Sequence, residues 1–343
     1  MVPIKVLLVD DSALFKSLLG EIIKSEKDLL LVKSAPEPLA ARQLINRFMP
    51  DIIILDIETP KIDELIYLEK LINTHPTPIL IASALSEKDA RTALCALKLG
   101  AINYIAKPKL GEADGIENYR QLLLEKIRLV APEKVKLITT EKPKNHLIVN
   151  FSATEKIIAV GASTGGTEAI KKFMMQLPSN SPGVVIAQHM PSGFTTSFAK
   201  RLDSVCNVNV IEAKGGEKIL PGKAYLAPGN YHLLIERSGD DYCLRLSDSA
   251  LVSGHRPSVD VMFNSLAKCA APNTVAVIMT GMGKDGASGM YSLHQNGTYT
   301  LAQDEASCVV FGMPKEAINL GGVDEVLPLD KLAPAVIRQL QKM

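Results

Sequence analysis

Three side chains that could together perform nucleophilic catalysis each follow a short apolar run. Ser163 lies in Gly161-Ala162-Ser163-Thr164-Gly165, and His189 and Asp285 follow later runs. The G-x-S-x-G spacing permits a sharp turn that exposes a serine hydroxyl at the start of a helix. If the runs are parallel strands, their carboxyl ends meet at one edge of the sheet. One crevice could then receive a nucleophile, its base and an orienting carboxylate.

Each of these residues alone is a weak signal. Ser163 or Thr164 could simply cap the helix that follows, and a single histidine at a strand end is more often structural than catalytic. His232 and His255, each next to a loop, are further candidates for a base. The chain order serine, histidine, aspartate also differs from the order in α/β-hydrolases.

A competing dinucleotide-binding pattern overlaps the same region. Gly281-Met282-Gly283-Lys284-Asp285-Gly286 matches G-x-G-x-x-G after an apolar run, and Asp304 follows the next run, where a ribose-binding acid would stand. Against this interpretation, the Asp285 carboxylate would face a pyrophosphate, and the Ser163 turn would have no role. A NAD-dependent oxidoreductase and a non-catalytic adaptor remain alternatives to a hydrolase.

A second set of polar residues lies in the first third of the chain. Asp10 and Asp11 follow the first apolar run, Asp56 ends the third, Ser83 ends the fourth and Lys107 follows the fifth. A single acid at a strand end would be merely solvated or would cap a helix. Three carboxylates that converge raise one another's pKa unless a cation neutralises them, and oxygen ligands of this kind suit Mg²⁺.

The elements that must position both sets are strands alternating with helices, which indicates parallel, doubly wound α/β sheets. The first domain is expected to have strands at Val6 to Val9, Leu30 to Val32, Ile52 to Leu55, Ile79 to Ala82 and Tyr104 to Ala106, and helices that include Leu14 to Ile23, Ala90 to Leu99 and Ile116 to Val130. A polar, basic segment with two prolines follows, at about residues 132 to 154. We therefore predict a first domain over 1–125, a helical extension and linker over 126–154, and a second domain over 155–343.

The second domain is expected to be α/β with a mostly parallel sheet and a hairpin-like middle. Its predicted strands are Ile157 to Val160, Val184 to Ala187, Val208 to Glu212, Lys223 to Ala227, His232 to Glu236, Leu244 to Leu246, Val275 to Met279 and Tyr299 to Ala302. Its predicted helices are Thr167 to Leu177, Thr195 to Leu202, Val259 to Cys269 and Leu332 to Gln341.

Composition narrows the classes of function. The 343 residues carry a net charge of +1, which gives no overall field for binding nucleic acid or an anionic membrane. No apolar run approaches the roughly 20 residues that span a bilayer, and the N-terminal apolar run is too short for a signal peptide. The five cysteines are scattered without CxxC spacing, as expected in a reducing cytoplasm.

The first domain resembles the receiver domain of bacterial response regulators, which is flavodoxin-like. The resemblance implies that Asp56 accepts a phosphoryl group and that Ser83 and Lys107 contact its oxygens. It further implies that Asp10 and Asp11, with Asp56, hold Mg²⁺. The backbone carbonyl of Glu58 would add a ligand, and Tyr104 would be the aromatic switch residue. The loop after Asp56 departs from the family pattern at Thr59 and Glu64, and Pro36 and Pro38 interrupt a region that is usually Asp-Gly.

The whole chain resembles the CheB methylesterase family of bacterial chemotaxis. The resemblance rests on five motifs in order: Gly161-Ala162-Ser163-Thr164-Gly165-Gly166, Gln188-His189-Met190-Pro191, Arg256-Pro257-Ser258-Val259-Asp260, Thr280-Gly281-Met282-Gly283-Lys284-Asp285-Gly286 and Gln303-Asp304-Glu305-Ala306. It implies hydrolysis of γ-glutamyl methyl esters on chemoreceptors, with deamidation of glutamine as a related activity. A chemotaxis histidine kinase would supply the phosphoryl group.

In this interpretation Ser163 attacks the ester carbonyl, His189 takes the proton and Asp285 orients His189. Backbone N–H groups of Met282 and Thr164 would stabilise the oxyanion. No cofactor is expected for the hydrolysis itself. The unphosphorylated receiver domain would cover the crevice, and phosphorylation of Asp56 would shift the population toward an open form.

Overall fold

The computed structural model of the protein describes residues 2–36, 38–56, 77–83, 92, 96, 101–108, 113–131 and 156–343. The chain divides into two compact units, Met1–Thr139 and Thr140–Met343. The linker expected between them lies almost entirely outside the described residues, as do Glu58, Thr59 and Glu64. Of the helix predicted from Ala90 to Leu99, only Thr92 and Ala96 are described, and both are helical.

The first unit contains a five-stranded parallel sheet, as predicted. Its described elements are β1 (Ile4–Val9), α1 (Ala13–Lys24), β2 (Leu29–Ala35), α2 (Pro38–Phe48), β3 (Ile52–Asp56), β4 (Ile79–Ser83), β5 (Asn103–Ala106) and α3 (Ala113–Val130). The strand order is β2-β1-β3-β4-β5, so the direction of winding reverses between β1 and β3. The carboxyl ends of these two strands therefore flank the crevice in which open α/β sheets bind ligands.

Helix α2 agrees with the predicted alternation of strands and helices, although the sequence patterns gave it no bounds. Pro36 and Pro38, which depart from the usual Asp-Gly of receiver domains, lie just before this helix and at its first residue. Proline is tolerated in the first turn of a helix because the N–H that it lacks has no partner within the helix there. The helix α3 extends to Val130. The boundary predicted for the first domain, at residue 125, therefore falls within this helix.

The second unit is built on a seven-stranded sheet in which every pairing is parallel. Its elements are β6 (Ile157–Ala162), α4 (Gly166–Met174), β7 (Gly183–Gln188), α5 (Phe194–Asp203), β8 (Asn209–Glu212), β9 (Lys223–Leu226), β10 (His232–Ser238), β11 (Asp241–Ser247), α6 (Val259–Cys269), a 3₁₀ turn (Ala271–Asn273), β12 (Thr274–Ile278), α7 (Ala287–Gln295), β13 (Tyr299–Gln303), α8 (Met313–Asn319), β14 (Glu325–Leu327) and α9 (Leu329–Lys342). The order is β14-β13-β12-β6-β7-β9-β8.

The eight strands predicted for this unit are all present, and the hairpin-like middle is the antiparallel pair β10 and β11, outside the main sheet. The short elements β14, α7 and α8 were not predicted. Helix α7 begins directly after a glycine-rich turn and contains Gly289, so its composition resembles a continuation of that turn. Strand β14 has only three residues, too few for a recognisable alternation.

The adjacent strands β6 and β12, at the centre of this sheet, determine where a site can form. Strand β6 pairs with β7 on one side and with β12 on the other, and all three are fully buried. Continuous burial explains why their sequences are apolar without alternation. The chain winds outward in both directions from β6 and β12, so the switch point lies between them. Among the helices of the described residues, none combines the length and apolar character needed to cross a membrane.

Candidate active site

Ser163, His189 and Asp285 lie together at the switch point of the second unit. Ser163 is the first residue after β6, His189 is the first after β7, and Asp285 lies in the loop after β12. His189 Nδ1 is 3.0 Å from Ser163 Oγ, and His189 Nε2 is 2.7 Å from Asp285 Oδ2. The histidine therefore bridges the hydroxyl and the carboxylate at hydrogen-bond distance on both sides, as a nucleophile, base and orienter require.

The turn that presents Ser163 is held by its own backbone. Its N–H donates to the carbonyl of Thr280 at 3.0 Å, and its carbonyl accepts from the N–H of Gly166 at 2.8 Å. Gly165 has φ +77°, and a Cβ there would lie 2.5 Å from Val309 Cβ. A left-handed backbone in so confined a space requires glycine. The G-x-S-x-G spacing thus has the role in the turn that the sequence predicted.

The Asp285 carboxylate is surrounded by hydrogen-bond donors. Oδ1 accepts from Ser258 Oγ at 2.7 Å and from the N–H of Asp260 at 3.2 Å, while Oδ2 accepts from the N–H of Val259 at 2.7 Å in addition to the His189 ring. Burial raises the pKa of Asp285, but the hydrogen bond and charge of His189, with Ser258 and Val259, outweigh burial and hold that pKa at about 2. The carboxylate is therefore ionised throughout the physiological range.

These donors come from the first turn of α6, which the sequence patterns predicted as a helix without giving it a part in the site. Ser258 is its N-cap and accepts from the N–H of Val261 at 3.3 Å. A helix N-terminus favours a carboxylate through its unpaired N–H groups and its dipole. A serine immediately before an apolar helical pattern was the available signal, but sequence alone does not show which carboxylate such a cap meets.

A neighbouring acid, Asp260, was also missed. Its carboxylate accepts from the N–H of Gly289 at 2.7 Å. Burial, followed by the nearby charge of Asp285, raises the pKa of Asp260 to about 6. Two carboxylates at one helix terminus thus have opposite environments, and the better-hydrogen-bonded Asp285 is the one that contacts His189.

Thr280 joins the loops that carry Ser163 and Asp285. Its hydroxyl donates to the carbonyl of Thr164 at 2.9 Å and accepts from the N–H of Val310 at 2.9 Å. Its own N–H donates to Gln303 Oε1 at 2.9 Å. This network was not predicted, because it connects residues up to 116 positions apart.

Met282 and Thr164, the predicted oxyanion donors, lie in the two loops that Thr280 joins, and both are buried. The N–H of Ser163 is engaged by Thr280 and is removed from the possible donors of the serine turn. The role of Met282 and Thr164 stays a prediction.

Gly286, the last glycine of the competing dinucleotide motif, has a structural explanation within this site. Gly286 has φ +89°, and a Cβ there would lie 2.6 Å from Val259 Cγ1, so glycine lets α6 reach Asp285. Asp285 itself is bound to His189 and Ser258. Asp304, the candidate ribose ligand, accepts from the N–H and hydroxyl of Ser307 at 2.9 and 2.6 Å, within its own turn. These contacts favour the hydrolase over the oxidoreductase.

The first unit brings its predicted polar residues together as well. Lys107 Nζ is 2.7 Å from Asp56 Oδ2 and 3.5 Å from Asp10 Oδ2. The N–H of Lys107 donates to the carbonyl of Ser83 at 2.8 Å, and the Ser83 side chain is buried. Tyr104 is buried in β5, and its role as a switch residue stays a prediction.

The acids of this cluster offer oxygen ligands of the kind that bind a divalent cation. Asp10, Asp11 and Asp56 each offer an oxygen within 4.8 Å of the others. Burial raises the pKa of Asp10, with Lys107 opposing the shift, and Asp10 Oδ2 has no hydrogen bond from the described residues. A buried carboxylate oxygen that faces a lysine at 3.5 Å without a close hydrogen bond is suited to a metal ion.

Tyr119, on α3, is a further residue of this cluster that the sequence did not indicate. Its buried hydroxyl has no hydrogen bond among the described residues. Burial raises its pKa, and the charges of Asp10 and Asp56 add to that shift. Its ring lies 6.1 Å from that of Phe15, centroid to centroid.

Together, the parallel receiver-like unit and the serine, histidine and aspartate at a switch point are typical of a hydrolase joined to a receiver-type domain. The sequence matches the family of CheB methylesterase over residues 158–336 and the response regulator receiver domain over residues 6–121. The chain belongs to the CheB methylesterase family.

Relatives of similar length support this assignment. The protein-glutamate methylesterase/protein-glutamine glutaminase 2 of Pseudomonas aeruginosa is 51% identical over 338 residues, 98% of this chain and 97% of the relative. The protein-glutamate methylesterase/protein-glutamine glutaminase 1 of Geobacter metallireducens is 51% identical over 345 residues, 96% of this chain and 94% of the relative. The crystal structure of the Thermotoga maritima CheB methylesterase catalytic domain is 40% identical and covers 55% of this chain and 100% of its own, with a TM-score of 0.53.

Proposed function

We propose that the protein hydrolyses γ-glutamyl methyl esters on chemoreceptors, with Ser163 as nucleophile, and that phosphorylation of Asp56 activates it. The observation that carries the proposal is the pair of contacts made by His189, 3.0 Å to Ser163 Oγ and 2.7 Å to Asp285 Oδ2. The names of the relatives also include a glutaminase activity, and we extend both substrates to this site.

The first half of the reaction forms an acyl-enzyme. Ser163 Oγ attacks the ester carbonyl carbon while His189 Nδ1 takes its proton. The ring then carries a proton on each nitrogen, and the ionised Asp285 stabilises that charge through Nε2–H. As the tetrahedral intermediate collapses, the proton on Nδ1 passes to the departing methoxide oxygen, and methanol leaves.

In the second half, water attacks the acyl-enzyme carbonyl, His189 takes a proton from that water, and Ser163 leaves with the proton restored. The product is the γ-carboxyl group of glutamate. With a glutamine side chain, ammonia leaves in place of methanol through the same intermediates. N–H groups of Met282 and Thr164 would receive the oxyanion, and losing one such donor typically costs about 2.7–4 kcal/mol of transition-state stabilisation.

The electrostatics of the site suit this division of roles. The His189 and Asp285 side chains are almost fully buried, at 6% and 1% exposure, so their interaction is weakly screened. Because Nε2 donates to Asp285, Nδ1 is the nitrogen left to accept the Ser163 proton. The ring orientation is the reverse of the chymotrypsin arrangement, in which Nε2 faces the serine, and either nitrogen can act as the base.

Regulation would originate at the cluster of Asp56, Lys107 and Ser83. A chemotaxis histidine kinase would donate the phosphoryl group to Asp56, and Lys107 and Ser83 would bind its oxygens. Asp10, Asp11 and Asp56, with the Glu58 carbonyl as the resemblance implies, would hold Mg²⁺, which supplies positive charge against the phosphoryl oxygens. The unphosphorylated receiver domain inhibits the hydrolase in this proposal, and the protein acts in the cytoplasm.

Methanol release from methylated chemoreceptor tests both parts. Wild type, Ser163→Ala and Asp56→Asn are each assayed with and without acetyl phosphate as a small phosphoryl donor. We expect release that Ser163→Ala abolishes, and stimulation by the donor that Asp56→Asn abolishes. Ser163→Ala should keep the wild-type thermal midpoint.

Three results would count against the proposal. Normal turnover by Ser163→Ala would exclude Ser163 as the nucleophile. Stimulation that persists in Asp56→Asn would place the phosphoacceptor elsewhere. If no release occurs from a verified substrate, a serine-directed probe and a titration with NAD would separate the adaptor from the oxidoreductase.

A further inference from the structure

The residues between β11 and α6 form a strap beside the catalytic histidine, here defined as Ala250–Ser258. Both ends of the strap are bound by His232, which is fully buried. Ser258 N–H donates to His232 Nδ1 at 3.1 Å, and His232 Nε2 is 3.0 Å from the carbonyl of Ala250. Because a backbone N–H can only donate, Nδ1 is the acceptor, and the proton on Nε2 is donated to Ala250.

Within the strap the chain makes a tight hairpin turn. Val252 and His255 exchange both backbone hydrogen bonds, at 3.1 and 2.9 Å, across Ser253 and Gly254. These two residues have φ of +52° and +77°, the positive pair typical of a type I′ turn. Arg256 Nη1 donates to the carbonyls of Ser249, at 2.7 Å, and Asp248, and this contact holds the strap to the end of β11.

The turn places the His255 ring face to face with the catalytic base. The ring centroids of His255 and His189 are 3.7 Å apart, and the planes differ by 14°. The hydrogen bonds to Ser163 and Asp285 act in the plane of the His189 ring, at its two edges. A stacked neighbour acts perpendicular to that plane, so it restrains the remaining tilt and shields one face from water.

We infer that His255 is a positioning residue for His189: by stacking on the ring it keeps Nδ1 aligned with Ser163 Oγ. This inference rests on the proposed function, in which His189 is the base. The same strap ends in Ser258, which donates to Asp285. His232 therefore fixes a single segment that contacts two members of the catalytic triad, and His232 and His255 acquire roles that the sequence did not reveal.

The test compares His255→Ala and His255→Phe in methanol release from methylated chemoreceptor, with steady-state kinetics. Misplacing a catalytic group by about 1 Å can cost roughly 10²-fold, so we expect kcat of His255→Ala to fall roughly 10–100-fold, with KM within about twofold of wild type. His255→Phe keeps a flat ring and should recover most of the lost kcat. His294→Ala is the matched control, since His294 is a half-buried histidine on α7 paired with Asp324.

A kcat of His255→Ala equal to that of wild type would overturn the inference. An increase in KM at constant kcat would also overturn it, because His255 would then contribute to substrate binding and not to the position of His189. If His255→Phe is as impaired as His255→Ala at an unchanged thermal midpoint, the imidazole acts chemically and stacking is not its role. Ser163→Ala, assayed in parallel, distinguishes a failure of the proposed function from a failure of the inference about His255. Without Ser163-dependent release in wild type the proposed function fails, whereas with it only the role of His255 is at issue.

Discussion

Asp285 and Asp10 occupy equivalent places in two different sheets. Each follows a strand that flanks a switch point, each is nearly fully buried, at 1% and 2% exposure, and each lies beside the N-terminus of a helix. Their environments nevertheless shift the pKa in opposite directions, downward for Asp285 and upward for Asp10. Position in the fold therefore does not determine the direction in which the pKa of a buried carboxyl shifts.

The difference lies in the number of donors. Asp285 receives hydrogen bonds on both oxygens, from the His189 ring, from the Ser258 hydroxyl and from two backbone N–H groups. Asp10 receives one on Oδ1, from the N–H of Ser12, while Oδ2 faces Lys107 at 3.5 Å. The Asp285 carboxylate has a fixed charge in a completed network. The receiver carboxylate is incompletely satisfied, which suits a site whose charge changes when a cation or phosphoryl group binds.

Asp285→Asn should break the completed network with the largest effect. An amide nitrogen in place of Oδ2 would donate toward His189 Nε2 and favour a proton on Nδ1, so the base could not accept from Ser163. The equivalent change in a serine-protease triad costs about 10⁴-fold in kcat, and we expect a loss of similar order in methanol release. If Asp285→Asn retains more than a tenth of wild-type kcat, Asp285 does not set the state of His189.

Ser258→Ala should weaken the same network by one donor. We expect kcat to fall about 10-fold, because Asp285 loses one restraint but keeps its charge, and unfolding free energy to fall by about 1–2 kcal/mol with the helix cap. Ser265→Ala is a matched control. Ser265 is buried on the same helix, with its hydroxyl accepting from the N–H of Ile235 at 2.9 Å and donating to the carbonyl of Met262 at 2.7 Å.

The control variant should lose stability but keep kcat. Equal losses of kcat in Ser258→Ala and Ser265→Ala, at equal losses of stability, would mean that Ser258 contributes to the fold of α6 and not to the orientation of Asp285.

Asp260→Asn tests how the ionisation of Asp260, the second carboxylate at this helix terminus, makes stability depend on pH. The pKa of Asp260 is raised from 3.8 to about 6, so its stabilising contribution is complete below pH 3.8 and is lost as the pH rises through about 6. With allowance for solvent screening on its partly exposed side, the loss is about 1–2 kcal/mol. Asparagine removes that loss and can still accept from Gly289.

The stability of Asp260→Asn relative to wild type should therefore increase between pH 4 and pH 6.5, measured from urea unfolding at each pH. Asp285 has the opposite sign, since its pKa is lowered to about 2. Its stabilisation is present above pH 3.8 and lost only as the pH falls toward 2, which lies below the pH range of this comparison. A difference that is constant from pH 4 to pH 6.5 would contradict the assigned titration of Asp260.

The residues at strand ends were predictable from sequence because they follow buried apolar runs along the chain. Ser163, His189 and Asp285 in one unit, and Asp10, Asp56 and Lys107 in the other, come together where parallel strands predict. Local patterns were sufficient because in an open parallel sheet each strand end points to the same edge.

The residues that tune the sites were not predictable. Ser258 contacts Asp285 as a helix cap, and His255 contacts His189 from a tight turn. His232 accepts a hydrogen bond from Ser258, 26 residues further along the chain. Their roles depend on which group each side chain meets, and that is a property of tertiary packing. The glycine spacing was also ambiguous for the loop after β12, where Gly286, which makes room for Val259, completes the spacing of a nucleotide-binding motif.

Asp10→Asn should have the smallest effect, and we expect it to increase stability, whereas Asp285→Asn lowers kcat. Burial of the Asp10 carboxylate, incompletely offset by Lys107, raises its pKa, so the ionised group costs stability at neutral pH. Asparagine can still accept from Ser12 and carries no charge. Without Mg²⁺ we expect stabilisation by about 1 kcal/mol, the common scale of single substitutions, in thermal unfolding of the full chain.

The same substitution should weaken Mg²⁺ binding at least 10-fold in a calorimetric titration, because one charged ligand is lost. Asp11→Asn is its control, since Asp11 is exposed. This variant should lose Mg²⁺ affinity without gaining stability, which separates the role of a ligand from the cost of burial. If Asp10→Asn destabilises the protein without Mg²⁺, then Asp10 is as well satisfied as Asp285, and the contrast between a completed and an incomplete carboxylate site does not hold.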